Sequence, residues 1–141
     1  MQHTPGADYI PQTKPRNPYV VDWDVPSLDK KAIALHTGDI AIRKDKFDVF
    51  SGNQHTSEVL DAINPDTVVV YGVATNVCVN YAVKGLTARR GLDVYVVKDA
   101  IKGLPNLSVK PVLKEWITKG AKFITTDELL TGSYLGGGQT R

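Results

Sequence analysis

The most constraining feature of this chain is the segment at residues 67–78, which reads TVVVYGVATNVC. Its first half is an unbroken apolar run, which is typical of a strand covered on both faces of a parallel sheet. A glycine-containing turn follows, and Cys78 stands where the next helix begins. A thiol at a helix N-terminus faces the positive end of the backbone dipole, which favours the nucleophilic thiolate. The segment therefore predicts a strand, a turn and a helix that together present a reactive cysteine.

Apolar runs and amphipathic segments alternate along the rest of the chain. The predicted strands are residues 40–43, 67–71, 94–97 and 122–124. The predicted helices are residues 57–63 and the segments that follow Asn76 and Ser108 as N-caps, with a last helical turn from Thr126. This alternation predicts an α/β fold with a parallel sheet and right-handed crossovers. Because sites form at the carboxyl ends of such strands, we expect Lys44 and Cys78 at the same sheet edge.

Composition and charge exclude several classes of protein. The 141 residues carry 17 basic and 15 acidic side chains without a basic cluster, so we predict no nucleic-acid partner. No apolar stretch approaches the roughly 18 residues of a membrane span, so we predict no membrane partner either. The first residues lack the charged start and apolar core of a signal peptide. A single cysteine fits a reducing compartment, and we predict a cytoplasmic protein.

The length of the chain predicts one domain over residues 1–141. Residues 1–32 are rich in proline and aspartate, and we predict irregular structure there. Residues 33–130 are predicted to form the α/β core, and residues 131–141, which end in GGGQTR, a tail.

Three motifs share a resemblance to one family. GVATNVCV at residues 72–79 resembles the nucleophile motif of the isochorismatase-like cysteine hydrolases, which include the nicotinamidases. RKDKFDVF at residues 43–50 resembles the lysine segment of that family, and HTPGAD at residues 3–8 resembles a stretch of its nicotinamidases. The chain is thus similar to this superfamily, and most of all to a nicotinamidase. The resemblance implies a three-layer, Rossmann-like fold built on a parallel sheet.

The resemblance also implies roles for individual residues. Cys78 would be the nucleophile, and its backbone N–H would form an oxyanion hole with the N–H of Ala74. The peptide bond between Val73 and Ala74 would be cis. Lys44 would hold positive charge beside the thiolate, and Phe50 would be a substrate-binding aromatic.

The catalytic aspartate of the family has no counterpart in this sequence. In the family it lies in a pattern like DxQxDF, which the chain lacks. It accepts the thiol proton and returns it to the leaving amine. Four aspartates of this chain could be considered as replacements for the catalytic aspartate. We interpret them as turn and loop carboxylates. They are Asp22, Asp24, Asp45 and Asp48. We interpret Asp99 as a carboxylate that satisfies loop backbone donors rather than one that takes part in the chemistry.

The metal ligands of nicotinamidases are missing as well. In the family an Asp-x-His pair and a second histidine lie upstream of HTPGAD. The resemblance therefore implies a zinc-like divalent metal whose ligands would precede this segment, and no metal or other cofactor bound by this chain itself. His3, His36 and His55 do not reproduce that spacing, and we interpret them as surface or loop histidines.

The chain therefore resembles the C-terminal two-thirds of the family domain. We expect a truncated or mis-started product whose sheet is incomplete at the N-terminus. The strand at residues 40–43 would lose its neighbours, and residues 67–71 would become an apolar sheet edge that is prone to aggregation. The expected partners are a small amide substrate and either a second copy of the chain or a complementing N-terminal segment. An ill-packed N-terminal third and a rearranged sheet are the alternatives.

Three functions stay open on this reading. The first is a cysteine-dependent amide hydrolase, a nicotinamidase that converts nicotinamide and water to nicotinate and ammonia through a thioester. The second is an isochorismatase or another small-amide hydrolase of the superfamily. The third is an inactive remnant, or a partial subunit that supplies Cys78 and Lys44 to a partner, which the missing aspartate favours.

Overall fold

Five parallel strands form two separate sheets in the computed structural model, which describes residues 4–135. The first sheet pairs β1 with β2, and the second has the order β3-β4-β5. The strands are β1 (Tyr19–Val21), β2 (Ile40–Ile42), β3 (Thr67–Val73), β4 (Asp93–Lys102) and β5 (Lys122–Ile124). Parallel neighbours need a crossover, and the helices supply it.

Six helices accompany the strands. They are α1 (Lys30–Leu35), α2 (Val49–Gly52), α3 (Thr56–Ile63), α4 (Cys78–Thr87), α5 (Lys110–Thr118) and α6 (Thr126–Thr131). Three short 3₁₀ turns occupy Pro5–Ala7, Pro11–Thr13 and Ser133–Leu135. No helix in the described part of the chain is long and apolar enough to cross a bilayer.

The second sheet has its own buried core, and we call residues 67–124 the C-terminal unit. Apolar side chains from α4, β4 and the end of α5 pack against one another in this core, and Trp116 at the centre of the core is fully buried. The buried members are Val79, Val83, Val96, Trp116 and Ala121. The indole N–H donates to Asn80 Oδ1 at 2.9 Å, so burial leaves no polar atom of the ring unpaired.

The first sheet has a separate core, and we call residues 19–63 the N-terminal unit. Val21 of β1, Ile33 of α1 and Val59 of α3 are each almost fully buried and pack together. The N-terminal third of the chain is therefore packed. Between the two units α2 packs on α4, and Arg89 of the C-terminal unit pairs with Asp61 of α3.

The α/β fold with parallel strands is confirmed, and three details differ from the expectations. Residues 1–32 were expected to be irregular, yet β1 and the start of α1 lie there, because Tyr19 to Val21 pair with β2. The strand at residues 40–42 consequently has β1 as a neighbour, which corrects the expectation that this strand would lose its neighbours. Residues 1–3 and the tail beyond residue 135 lie outside the described part of the chain.

The third detail concerns β3. Its apolar sequence predicted a strand covered on both faces, but no side chain of β3 is fully buried, and Tyr71 and Val73 are 66% and 69% exposed. Among the described strands β3 pairs with β4 alone, so it is an edge of its sheet, as the incomplete sheet implied.

Candidate active site

Cys78 lies where the sequence placed it, at the first residue of α4 and five residues after β3 ends. The thiol is half-buried and not part of a disulfide. Asn76 was expected to cap this helix, but the N-cap is Val77, which offers no side-chain hydrogen bond. Asn76 Oδ1 instead accepts from the backbone N–H of Leu104 at 3.0 Å. The amide of Asn76 thus ties the nucleophile loop to the segment after β4.

Lys44 approaches Cys78 from the other unit. It follows β2 by two residues, and its Nζ lies 3.8 Å from Cys78 Sγ. The same ammonium donates to the Lys46 carbonyl at 2.8 Å, which holds it in place. The structure therefore brings together the two residues that the sequence singled out, one from each sheet. The Lys44 ammonium thus stands beside the sulfur that the sequence identified as the candidate nucleophile.

The nucleophile loop leaves two backbone amides available near the thiol. The Val73–Ala74 peptide bond is cis. The Ala74 carbonyl accepts from the Val77 and Val79 N–H groups at 3.0 and 3.1 Å. In residues 4–135, no backbone hydrogen bond outside the regular helices and strands has the Ala74 or Cys78 N–H as its donor. Two unpaired N–H groups beside a nucleophile are what an oxyanion hole requires, and that role for Ala74 and Cys78 stays a prediction.

Phe50 packs against α4 at Gly85. A Cβ added at Gly85 would stand 2.1 Å from Phe50 Cε2, so the ring rests directly on the backbone of α4. Gly85 follows Cys78 by seven residues, which is roughly 10 Å along the helix axis. A helix-interior glycine costs about 0.5–1 kcal/mol relative to alanine, so its presence here needs a packing reason. Phe50 therefore joins the two units, and its role in substrate binding stays a prediction.

Asn53 is a residue of the site that sequence reasoning missed. It is 1% exposed, and its Nδ2 donates to the carbonyls of Val21 at 3.0 Å and Arg43 at 2.7 Å. The Val21 carbonyl lies at the end of β1, and the Arg43 carbonyl lies just after β2 and directly before Lys44. A buried side-chain amide that satisfies two strand-end carbonyls fixes where the lysine segment leaves the sheet.

Three of the aspartates considered from the sequence have defined partners in the described residues. Asp22 pairs with Arg43 at 3.2 Å, and Asp48 caps α2 through the Phe50 N–H at 2.9 Å. Asp99 accepts from Thr126 N at 2.8 Å, which lowers the pKa of its carboxyl. In the part of the chain that the structure describes, the hydrogen-bonding partner of Cys78 Sγ is Lys44, and no carboxylate contacts the thiol. Asp48 is a loop carboxylate, as interpreted, whereas Asp99 lies in β4 and accepts from the backbone N–H at the start of α6.

His55 is a loop histidine, as interpreted, since it lies in the turn before α3, but its side chain is buried. His55 is 3% exposed, with Nδ1 at 2.9 Å from Glu58 Oε1 and Nε2 at 2.8 Å from the Val25 carbonyl. Both ring nitrogens face acceptors, and the hydrogen bonds to Val25 and then Glu58 raise the pKa of this imidazole. His36 lies at the end of α1, with Nε2 2.7 Å from the Asn17 carbonyl. His3 lies outside the described residues.

The implied metal does not fit the residues that the structure describes. Among residues 4–135, no group of three or more His, Cys, Asp or Glu side chains could hold a metal ion. The expectation that its ligands would precede HTPGAD stays a prediction, and none of the chemistry below passes through a metal.

Comparison with known proteins agrees with this geometry. A family model described as the isochorismatase domain matches residues 7–128. A solved isochorismatase-like hydrolase from Alkaliphilus metalliredigens is 21% identical with a TM-score of 0.61, covering 92% of this chain and 59% of its own. A nicotinamidase and pyrazinamidase from Acinetobacter baumanii is 24% identical with a TM-score of 0.52, covering 64% of this chain and 48% of its own. No curated protein matches the chain.

At these identities the two solved structures establish a shared fold. This chain spans less than two thirds of the length of either one.

Proposed function

The chain belongs to the isochorismatase family, and we propose that within it this protein is a cysteine hydrolase of small amides, of the nicotinamidase type. The observation that carries the proposal is the approach of Lys44 Nζ to within 3.8 Å of Cys78 Sγ at the N-terminus of α4. The HTPGAD motif at residues 3–8 and the nicotinamidase among the similar structures favour an amide substrate.

The reaction would proceed in two stages. The Cys78 thiolate attacks the carbonyl carbon of the amide, and the developing oxyanion is held by the Ala74 and Cys78 N–H groups. The C–N bond then breaks, the nitrogen takes up a proton and leaves as ammonia, and a thioester remains. Water attacks the thioester, which releases the carboxylic acid and restores the thiol. The Lys44 ammonium stabilises the thiolate before attack and the negative charge during it.

The test is ammonia release from nicotinamide, with consumption of isochorismate measured in parallel. We expect ammonia release by the unmodified chain and a fall of at least about a thousandfold in Cys78→Ala, because the nucleophile is removed. Lys44→Met should lower the rate by about 10²–10³-fold through loss of the charge. Lys46→Met is the matched control, since its ammonium contacts the Ser51 carbonyl rather than Cys78. Isochorismate consumption without ammonia release would contradict the amide proposal.

A second candidate function follows from a separate observation. No carboxylate contacts Cys78 Sγ in the described residues, so a general base is not in place there. The chain would then be a partial subunit or a non-catalytic member of the family. This candidate would be favoured over the hydrolase if the chain neither releases ammonia nor consumes isochorismate, while iodoacetamide still alkylates Cys78 rapidly at neutral pH.

A further inference from the structure

A cavity opens behind the nucleophile loop, at the carboxyl end of β4. Its volume is about 510 Å³, within the range of roughly 300–1,000 Å³ that is usual for small-molecule sites. It lies between the segment that follows β4 and the first turns of α5. Cys78 and Lys44 are not among its lining residues, so it is separate from the candidate active site. Its lining includes Thr75, Lys98, Lys102, Leu104, Val109 and Leu113.

The charged side chains that line the cavity are both basic. Lys98 and Lys102 are among the lining residues, and no aspartate or glutamate is. In residues 4–135 neither lysine takes part in a salt bridge, and Lys98 has an electrostatic interaction with the neighbouring Asp99. Asp99, the acidic neighbour of Lys98 in sequence, directs its Oδ1 to Thr126. A cavity with two cations and no anion of its own is complementary to an anionic ligand.

The rest of the lining is apolar. Leu104, Val109 and Leu113 supply the larger apolar side chains of this lining together with Ile101. Ligand sites of this size combine an apolar wall with a few polar groups that orient the ligand. A bare inorganic anion would leave the wall without a partner, whereas an organic anion with a flat apolar body would contact both parts.

Two hydrogen bonds join the cavity to the nucleophile loop. The Thr75 N–H donates to the Lys102 carbonyl at 2.8 Å. The Leu104 N–H donates to Asn76 Oδ1 at 3.0 Å. Thr75 and Asn76 lie between Ala74 and Cys78, so the cavity wall and the loop share their backbone supports. A ligand that shifts Lys102 or Leu104 therefore also shifts the amides beside the thiol.

We propose that this cavity binds a small organic carboxylate with an apolar body, and that its occupancy changes the reactivity of Cys78. The carboxylate contacts the ammonium groups of Lys98 and Lys102, and the body packs on Leu104, Val109 and Leu113. The proposal concerns binding and thiol reactivity, so it holds whether or not the chain hydrolyses an amide.

The binding test uses the full chain, amide-resolved NMR and benzoate as the probe, with benzamide as its neutral analogue and inorganic phosphate as the bare anion. We expect benzoate to shift the amide signals of residues 102–104 and of the first turn of α5. We expect benzamide and phosphate to bind at least about tenfold more weakly, since each lacks one of the two contacts. Shifts confined to residues around Lys44 and Cys78, or phosphate binding as tightly as benzoate, would overturn the proposal.

Variants identify the groups that bind. A double substitution, Lys98→Gln with Lys102→Gln, should weaken benzoate binding at least about tenfold. Replacing both lysines by arginine should retain binding, and Lys119→Gln, at the far end of α5, is the matched control. An unchanged amide spectrum outside the cavity verifies the fold of each variant. Equal benzoate affinity in the glutamine and unmodified chains would contradict the site.

The coupling to Cys78 has its own measurement. We expect saturating benzoate to change the rate of iodoacetamide alkylation of Cys78 at least about twofold in the unmodified chain. The double glutamine variant should show no such change. An equal rate with and without benzoate in the unmodified chain would refute the coupling.

Discussion

The two units of this molecule are stabilised in different ways. The C-terminal unit has a long ladder between β3 and β4 and a core centred on Trp116, whose side chain is fully buried. The N-terminal unit has two strands of three residues each and a smaller apolar cluster. Its further support comes from buried polar side chains, Asn53 and His55, that bond to backbone carbonyls. Apolar burial dominates one unit, and directed hydrogen bonds supplement it in the other.

This difference matters because the candidate active site draws on both units. Cys78 belongs to the well-packed unit, whereas Lys44 is positioned by the one that depends on Asn53. The distance between the two groups therefore depends on the contact of α2 with α4, where Phe50 rests on Gly85. Four substitutions, taken from the largest expected effect to the smallest, test the comparison.

Trp116→Ala should lower the free energy of unfolding by about 3–5 kcal/mol, because it removes the largest side chain of the C-terminal core. Amide exchange should accelerate in β4 and α4 more than in β1 and β2. Trp116→Phe is the matched control, since it keeps an aromatic ring and removes the hydrogen bond to Asn80. Equal acceleration in both units would mean that they share one core.

Asn53→Ala should lower the free energy of unfolding by about 2–4 kcal/mol, since it leaves the Arg43 carbonyl and the buried His55 N–H without their hydrogen-bond partner, whereas the Val21 carbonyl still accepts from the Arg43 N–H. Urea denaturation measures this value, and exchange should accelerate mainly in the N-terminal unit. The neighbouring Gln54→Ala is the control, because that side chain is exposed and makes a longer bond. If Asn53→Ala lost as little stability as Gln54→Ala, apolar burial alone would be sufficient to stabilise the N-terminal unit.

Gly85→Ala should lower the free energy of unfolding by about 1–3 kcal/mol, because its Cβ would overlap the Phe50 ring. It should also slow alkylation of Cys78 at neutral pH, as Lys44 moves away with α2. Adding Phe50→Leu should restore part of both losses by removing the overlapping atoms. If the double variant recovers neither stability nor alkylation rate, the contact between Phe50 and Gly85 does not couple the two units.

The pH dependence of stability gives the smallest expected effect, under about 1 kcal/mol. The folded state raises the pKa of His55, so the stabilisation is complete below the usual value of 6.5. It is lost as the pH rises through the folded-state value. Urea midpoints from pH 5.5 to about 8.5 should therefore fall more steeply in the unmodified chain than in His55→Gln. The control is His36→Gln. If the urea midpoint of His55→Gln fell more steeply with pH than that of the unmodified chain, the folded state would not raise the pKa of His55.

The C-terminal unit was largely predictable from the sequence. Its strands and helices carry long apolar runs and helical periodicity, and the placement of Cys78 after β3 followed from them. Cap residues were less predictable, because a side chain such as that of Asn76 can bond to a backbone partner that only the tertiary structure supplies. Asn76 bonds to Leu104 instead, and α5 begins after Val109.

The N-terminal unit was poorly predictable, for a physical reason. A three-residue strand between Pro18 and Asp22 has no periodicity to recognise, and it exists because β2 pairs with it. The roles of Asn53 and His55 depend on carbonyls that lie 10 to 32 positions away in sequence. One signal was available: a glycine inside the amphipathic pattern of α4 usually has a packing reason, and Gly85 has one.

The main-chain bonding of the nucleophile loop has a consequence for how this family diversifies. The Ala74 carbonyl and the Thr75 N–H are held by backbone groups, and any residue other than proline supplies such partners. The Val73 side chain, 69% exposed, takes no part in that bonding. Variation of the side chains around the loop can therefore leave its backbone course, and with it the position of Cys78, unchanged.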